Sequence, residues 1–332
     1  MIVDCAHYVR GTRQHSGPLG LDEAAARPRS GGSFVWIELH EPGPELMRAV
    51  RERFDLHELA VEDAGRAHQR PKVEAYDNFH FLVFKTLEYD AATRRVEVGE
   101  LDLFLGTGYV IAVRHGPAEN LARVRERLEP RAHLLKSGPA AVVWGILDAV
   151  VDGYRPVVEG LERDIDDVEE AIFAHREDAT ERIYFLKQEV TDLQRAVRPL
   201  IEPLDTLMRG GFGQMDPKLQ RYFRDILDHV RRVAEDVAVQ RDQLATALDA
   251  NVSLISVRQN QIVAQQSDVA KQLTVVATVF LPLTFITGFF GQNFGWLTDH
   301  VGSLWDFLVF GIGGLVFGGL LLVGYFKRRH FV

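Results

Sequence analysis

The chain has 332 residues, with 47 acidic against 38 basic side chains, a net charge of −9 and a single cysteine. This charge gives no electrostatic support for a nucleic-acid partner, whereas it favours cations. One cysteine, Cys5, excludes an intramolecular disulfide and a multi-thiolate zinc site. The mean hydropathy of −0.07 is that of a soluble protein, but residues 272–298 and 307–326 contain no charged side chain.

The N-terminal part of the chain predicts a mixed α/β domain. It lacks the basic start and the long apolar stretch of a secretory signal, so we expect it to stay in the cytoplasm. Aromatic and β-branched runs bounded by glycine and proline predict strands, and a Pro-Gly-Pro breaker precedes a helical stretch. The predicted strands cover residues 34–39, 79–89, 96–105 and 109–113, the last three as a meander, and the helix covers residues 45–54.

From Gly138 onward the pattern is helical. Charged amphipathic helices are predicted over residues 140–174 and 179–199. After Asp216 and Pro217, a plausible helix start, apolar residues keep a spacing of three to four as far as residue 262. So long a run predicts a coiled stalk that enters the membrane without interruption. A helix lying on its own domain is the alternative.

The two uncharged stretches predict membrane-spanning helices, since about 20 apolar residues cross a bilayer. Buried helices of a soluble core are the alternative, which the position of both stretches side by side near the C-terminus disfavours. A basic cluster, residues 327–330, directly follows the second stretch. The positive-inside rule places this cluster in the cytoplasm, and with two spans the N-terminal domain lies there too.

One face of the first predicted span differs from the rest of that helix. Its residues are small or hydroxylic apart from one leucine, and the remaining positions are bulky and apolar. Such a face suits water in a pore or close packing between helices, and periodicity alone leaves both open. The face consists of Ser267, Ala270, Thr274, Ala277, Leu281, Thr284 and Gly288.

The end of this span carries a specific resemblance. Residues 278–294, TVFLPLTFITGFFGQNF, resemble the first span and signature loop of the CorA family of magnesium and cobalt channels. Residues 68–74 (HQRPKVE) and 222–225 (YFRD) resemble upstream segments of the same family. The usual Gly-Met-Asn tripeptide is here Gly291, Gln292 and Asn293, and the middle residue also varies in the related ZntB-type zinc transporters.

The resemblance implies a homopentamer in the inner (plasma) membrane that conducts hydrated Mg2+, and also Co2+; its expected partners are its own copies and the bilayer, and not a nucleic acid. Asn293 would face the incoming ion and Leu281 would narrow the pore. Glu62, Asp63 and Asp225 would bind regulatory divalent cations between subunits; ordinary surface acids are the alternative. A proton-coupled Zn2+ transporter of the same fold, and a non-transporting membrane-anchored sensor or scaffold, are the competing functions. No enzyme motif is present.

The resulting layout is an α/β cytoplasmic domain followed by long stalk helices and two C-terminal transmembrane helices. We expect a cytoplasmic α/β domain (1–135), a cytoplasmic helical hairpin (136–215), a stalk helix continuing into the first span (216–291), an outer loop with the tripeptide (292–303), the second span (304–326) and a basic cytoplasmic tail (327–332).

Overall fold

The computed structural model describes residues 1–15, 17–29, 31–117, 121–174, 176, 179–208, 216–292, 295–300 and 303–328. The chain divides into two compact units, Met1–Asn251 and Val252–Val332. The first unit combines a sheet with helices, and the second consists of helices. The fold class predicted from the sequence is confirmed.

A seven-stranded sheet lies at the centre of the first unit. Its strands are β1 (Ile2–Val9), β2 (Thr12–Arg13), β3 (Ser33–His40), β4 (Lys72–Ala75), β5 (Phe79–Asp90), β6 (Arg95–Gly106) and β7 (Tyr109–His115). Their order is β2-β1-β3-β7-β6-β5-β4. The β3–β7 pair is parallel and the other described pairs are antiparallel. The predicted meander of β5, β6 and β7 is confirmed.

Helices cover both faces of this sheet. They are α1 (Leu21–Ala26), α2 (Pro44–Phe54), α3 (Glu58–Arg66), α4 (Leu121–Leu128), α5 (Ala132–Leu135), α6 (Pro139–Asp152), α7 (Tyr154–Phe173), α8 (Ala179–Val197) and α9 (Ile201–Thr206), with a 3-10 turn over Arg198–Leu200. Buried side chains of α1, α2 and α3 pack on one face, around Ile37, Phe81 and Ile111. On the other face α6 lies against β3, β6 and β7, and α7 and α8 lie against β5.

The prediction of one charged amphipathic helix over residues 140–174 was wrong. The structure has two helices there, because α6 ends at Asp152 and α7 begins at Tyr154. The first of them is almost entirely apolar and buried, since it is enclosed between the sheet and neighbouring helices rather than exposed along one side. The second is the amphipathic helix that the sequence pattern indicates.

A single helix, α10 (Pro217–Phe290, 74 residues), begins in the first unit and continues into the second. Its start is capped as the sequence predicts: the Lys218 amide donates to Oδ1 of Asp216 over 2.9 Å, and Pro217 occupies the first helical position. The second unit adds α11 (Gly295–His300), α12 (Leu304–Asp306), a π-helical turn (Phe307–Ile312) and α13 (Gly313–Arg328).

Two helical segments are long and apolar enough to cross a membrane, judged by length and composition. The first is the C-terminal part of α10, and the second is the 25-residue segment Leu304–Arg328. Pro282 lies inside α10 without ending it, although a proline removes one backbone hydrogen bond of the helix. These segments coincide with the two uncharged stretches of the sequence.

An unusual acid lies inside the sheet. Asp102 on β6 has no exposed surface, and neither of its carboxylate oxygens has a hydrogen-bond partner among the described residues. It sits between Val83 and Val113 of the adjacent strands. Burial, followed by the field of Glu100, raises the pKa of Asp102 well above its usual range. A carboxyl in such a place is stable only when protonated.

Asp102 should therefore make the stability of the protein depend on pH. Because the pKa of Asp102 is higher in the folded than in the unfolded chain, its destabilising contribution is absent below about pH 4 and grows as the pH rises towards the folded value. Asp102→Asn removes this ionisation. We expect the difference in Tm between the variant and wild type to favour the variant more at pH 8 than at pH 5. Each kcal/mol of ionisation cost that the substitution removes should increase this difference by roughly 2–4 °C.

Thermal unfolding of the full chain in detergent, followed by intrinsic fluorescence at both pH values, measures this difference. Using the pH trend rather than the absolute Tm separates the ionisation from the packing cost of a buried amide. Parallel pH profiles for the two proteins would contradict the assignment.

Candidate ion pathway and regulatory carboxylates

The first predicted span presents two different faces within one chain. The seven residues of the predicted pore stripe, residues 267–288, are all exposed. Half-buried positions of the same segment occur on the opposite side of the helix, as 3.6 residues per turn requires. They are Val275, Val279, Pro282, Leu283 and Ile286. The covered face and the stripe therefore do not overlap.

The second span has a covered face as well. Leu315 and Leu322 are half-buried and Phe326 is buried, and their spacing of seven and four residues places them on one side of α13. On both spans, therefore, the less exposed residues gather on one side of the helix, and on α10 this side is opposite the stripe.

Hydroxyl groups in this span are bound to the backbone of their own helix. Oγ1 of Thr274 donates to the carbonyl of Ala270 over 2.8 Å, and Oγ1 of Thr278 donates to the carbonyl of Thr274 over 2.7 Å. A hydroxyl that has donated its hydrogen keeps oxygen lone pairs as acceptors. Thr274, which lies on the stripe, therefore presents an acceptor rather than a donor.

The signature tripeptide follows the end of α10. The Gly291 amide donates to the carbonyl of Thr287 over 3.0 Å, which completes the last turn of the helix. Gly291 and Gln292 are both exposed. Asn293, which the sequence analysis places opposite the incoming ion, lies outside the described residues. The same holds for the last four residues of the basic tail.

The predicted regulatory acids lie at two separate places in the first unit. Glu62 and Asp63 lie on α3, where Nη1 of Arg66 contacts Oε1 of Glu62 over 2.6 Å. Asp225 lies on the exposed side of α10. The pKa of Asp148 is raised mainly by burial, next by the charge of Asp152, and to a smaller extent by the charge of Asp225.

Asp63 has a basic partner that the sequence analysis did not identify. Nζ of Lys72 lies 2.7 Å from Oδ2 of Asp63 and 2.8 Å from Oε1 of Glu74. Burial lowers the pKa of Lys72, but its hydrogen bonds to the two carboxylates outweigh this effect and raise the pKa. The sequence offers one indication of this contact. Lys72 and Glu74 are two residues apart on a strand, so their side chains lie on the same face of the sheet.

Within the described residues, no three side chains of the His, Cys, Asp and Glu types are grouped so that they could hold a metal ion. Asp63 and Glu74 nevertheless flank a cation, the Lys72 ammonium. Carboxylate oxygens are the ligands that Mg2+ prefers. These two residues can thus supply part of a divalent-cation site, and the remaining ligands would have to come from elsewhere.

Residues 31–328 of the chain match the family described as CorA-like Mg2+ transporter protein. The chain belongs to this family. Its members are transporters or channels rather than enzymes, and the resemblance stated from the signature loop is confirmed.

Individual relatives match this chain over most of its length. The chain is 30% identical to the cobalt/magnesium transport protein CorA of Thermotoga maritima, over 92% of this chain and 85% of the relative. The zinc transport protein ZntB of Yersinia enterocolitica is 21% identical, over 81% and 79% of the two chains. The solved CorA magnesium transporter of Methanocaldococcus jannaschii, 17% identical, has the same fold with a TM-score of 0.67 over 100% of both chains.

The two faces of α10 predict a pattern of chemical accessibility. Cys5 is fully buried on β1, and burial raises the pKa of its thiol to about 12, so the wild-type protein provides an unreactive background. We expect cysteines placed at Ala277 or Thr284 to react with a hydrophilic methanethiosulfonate at least roughly tenfold faster than cysteines at Val279 or Ile286. The reason is that the reactive thiolate forms only where water has access.

Mass spectrometry of the full chain in nanodiscs measures these rates, with the unmodified protein as the control. Equal rates on the two faces, or faster reaction at Val279 and Ile286, would contradict the proposed orientation of the helix.

Proposed function

We propose that the chain forms a homopentameric channel for hydrated divalent cations, Mg2+ and also Co2+, whose pore is lined by the stripe of α10. The observation that carries this proposal is the exposure of all seven stripe residues on the face opposite the half-buried one. A face of small and hydroxylic residues that its own chain leaves uncovered suits a symmetric contact around water.

The chemistry of the stripe suits an ion that keeps its water. Mg2+ gives up its hydration shell reluctantly, and the stripe contains no carboxylate to replace that water. Water molecules bound to a cation point their hydrogens outward, so the wall must offer acceptors. The Thr274 hydroxyl, committed as a donor to its own backbone, is such an acceptor, and Thr284 and the Asn293 amide oxygen add further ones.

Leu281 is the bulky residue of the stripe, and its side chain is 71% exposed in a single chain. A ring of leucines around a five-fold axis would form an apolar constriction between rings of Ala277 and Thr284. Such a constriction conducts when it is wet and closes when it dries. This assigns gating to Leu281 and the first selection of ions to Gly291, Gln292 and Asn293.

Regulation would depend on Glu62, Asp63 and Asp225, which we propose bind Mg2+ between neighbouring subunits. Carboxylates that face each other across an interface repel when the site is empty and are bridged when a cation enters. High internal Mg2+ would then hold the subunits together with the pore closed. Low internal Mg2+ would release them.

The orientation follows from charge. Lys327 and Arg328 are the last described residues of α13, and basic residues beside a span stay on the cytoplasmic side. We therefore propose a multi-pass protein of the inner membrane with both termini in the cytoplasm. Residues 1–135 and 136–215 would form its cytoplasmic part, 216–291 the stalk and first span, 292–303 the outer loop, 304–326 the second span, and 327–332 the tail.

A second candidate function is proton-coupled Zn2+ transport. Two observations favour it: Gln292 replaces the usual methionine of the tripeptide, and a ZntB zinc transport protein is among the relatives. An amide in this position changes the groups offered to the arriving ion, while Asn293 is retained. Uptake of Mg2+ and Zn2+ by liposomes, with and without a proton gradient, distinguishes the two.

Asn293→Ala should abolish divalent-cation uptake into these liposomes, because it removes the ring of amide oxygens at the entrance to the pore. Gln292→Met, which restores the usual tripeptide, is the matched control and should retain uptake. Size-exclusion chromatography checks that both variants keep the wild-type assembly. Undiminished uptake by Asn293→Ala would refute the pore assignment. Absence of uptake of Mg2+, Co2+ and Zn2+ by the wild-type protein would favour the sensor or scaffold function.

A further inference from the structure

The Lys72 ammonium occupies the position of a cation between two carboxylates of the first unit. It lies on β4, the edge strand of the sheet, 2.7 Å from Asp63 on α3 and 2.8 Å from Glu74 on its own strand. Asp63 and Lys72 are similarly accessible, with side chains 29% and 27% exposed. Water and ions therefore reach this pair.

Several contacts hold the ammonium in place. Nζ of Lys72 lies 5.6 Å from the centre of the buried Phe81 ring, so the lysine stem covers apolar surface while its charged end faces the carboxylates. The Tyr76 hydroxyl donates to the other oxygen of Glu74 over 3.1 Å, which orients that carboxylate. Two oxygens from two elements are thus arranged around one positive charge.

A second carboxylate and lysine lie on the neighbouring strands. Glu100 on β6 is almost fully buried and pairs with Nζ of Lys85 over 2.5 Å, so this pair is neutral, and the buried Asp102 adds no charge while it is protonated. Asp63 and Glu74 are left to share the single positive charge of Lys72. A cation at Asp63 is consequently favoured, whether it is an ammonium or a metal ion.

Resting on the proposed regulatory role of Asp63, we propose that Lys72 is a tethered competitor for the regulatory divalent cation. A metal ion binding at Asp63 must displace the ammonium or share the carboxylate with it. Lys72 thereby sets the internal Mg2+ concentration at which the channel closes. Binding is an exchange of one cation for another, so the carboxylates are never left without a counter-charge.

The same pair is a weak source of stability. Ion pairs with this degree of exposure contribute little to folding, because solvent screens them and two side chains lose freedom. An ammonium within a few ångströms of a dication, by contrast, opposes its binding directly. Removing the charge should accordingly change Mg2+ affinity strongly and Tm only slightly, which separates a regulatory role from a structural one.

The test measures protection of the full chain in nanodiscs from chymotrypsin as a function of Mg2+ concentration. Chymotrypsin does not cleave at lysine, and the slow secondary cleavage that a new methionine allows is matched in the control Lys187→Met. Ligand binding protects the bound state from cleavage. Lys72→Met should lower the Mg2+ concentration that gives half-maximal protection, the Mg2+ midpoint, by at least about fivefold. Lys72→Arg, which pairs with carboxylates at least as well, should leave the midpoint unchanged or raise it. Lys187→Met, on the exposed side of α8, changes the net charge equally and should behave as wild type.

Asp63→Asn, alone and combined with Lys72→Met, completes the experiment. Asp63→Asn should raise the midpoint, and Lys72→Met should have no further effect in that background, since the competitor acts through Asp63. An unchanged midpoint in Lys72→Met, with a shifted one in Asp63→Asn, overturns the role of Lys72 and leaves the regulatory site standing. An unchanged midpoint in Asp63→Asn overturns the regulatory site itself. If Lys72→Met does not fold, a lowered midpoint in Lys72→Arg overturns the proposal.

Discussion

In the proposed channel, the tightly held water shell of the divalent cation decides what the wall of the pore must offer. A bilayer offers no acceptor for the water shell of Mg2+, and the shell is too tightly held to be removed cheaply. A channel for this ion therefore has to present acceptors to water along one face of a helix and hydrocarbon along the others. In the proposed arrangement the first span does so with small and hydroxylic residues on the exposed stripe and with Val275, Val279 and Ile286 on the half-buried side.

The first unit, Met1–Asn251, presents a different electrostatic problem. Its sheet contains acids that burial makes costly, among them Asp102 and Glu100, and lysines that partly balance them. Asp63 and Glu74 share the single positive charge of Lys72, and this local excess of carboxylate makes the surface around Asp63 receptive to positive charge. The same α10 helix that carries the stripe also carries Asp225, within one continuous element of 74 residues.

Much of the fold could be predicted from local sequence. Strands β3, β5, β6 and β7 follow aromatic and β-branched runs that turn residues separate, and α10 starts where Asp216 and Pro217 indicate. The division between α6 and α7 was missed, although Gly153 separates the two helices and Pro156 lies in the first turn of α7, where proline is tolerated and commonly found. The acids of β6 were not recognised as buried, since alternation of acidic and apolar residues is also the pattern of a strand with one face in water. What decides their burial is α3, packed on that face from a distant part of the sequence.

In the candidate site, too, local sequence patterns do not predict contacts between elements that are distant along the chain. Periodicity identifies the stripe but leaves pore lining and helix packing open, and the structure adds only that the half-buried positions of this segment lie on the opposite face. The partner of Asp63 depends on a contact between a helix and a strand, which no spacing rule in the sequence supplies. The signature loop, a contiguous motif, could be recognised from the sequence alone.

In the proposed channel several copies of the stripe meet around water. The mass of the full chain in lipid nanodiscs, measured by native mass spectrometry without cross-linking, gives the number of copies. We expect a homopentamer. A monomer or dimer as the dominant species, at concentrations where the protein transports divalent cations, would contradict it.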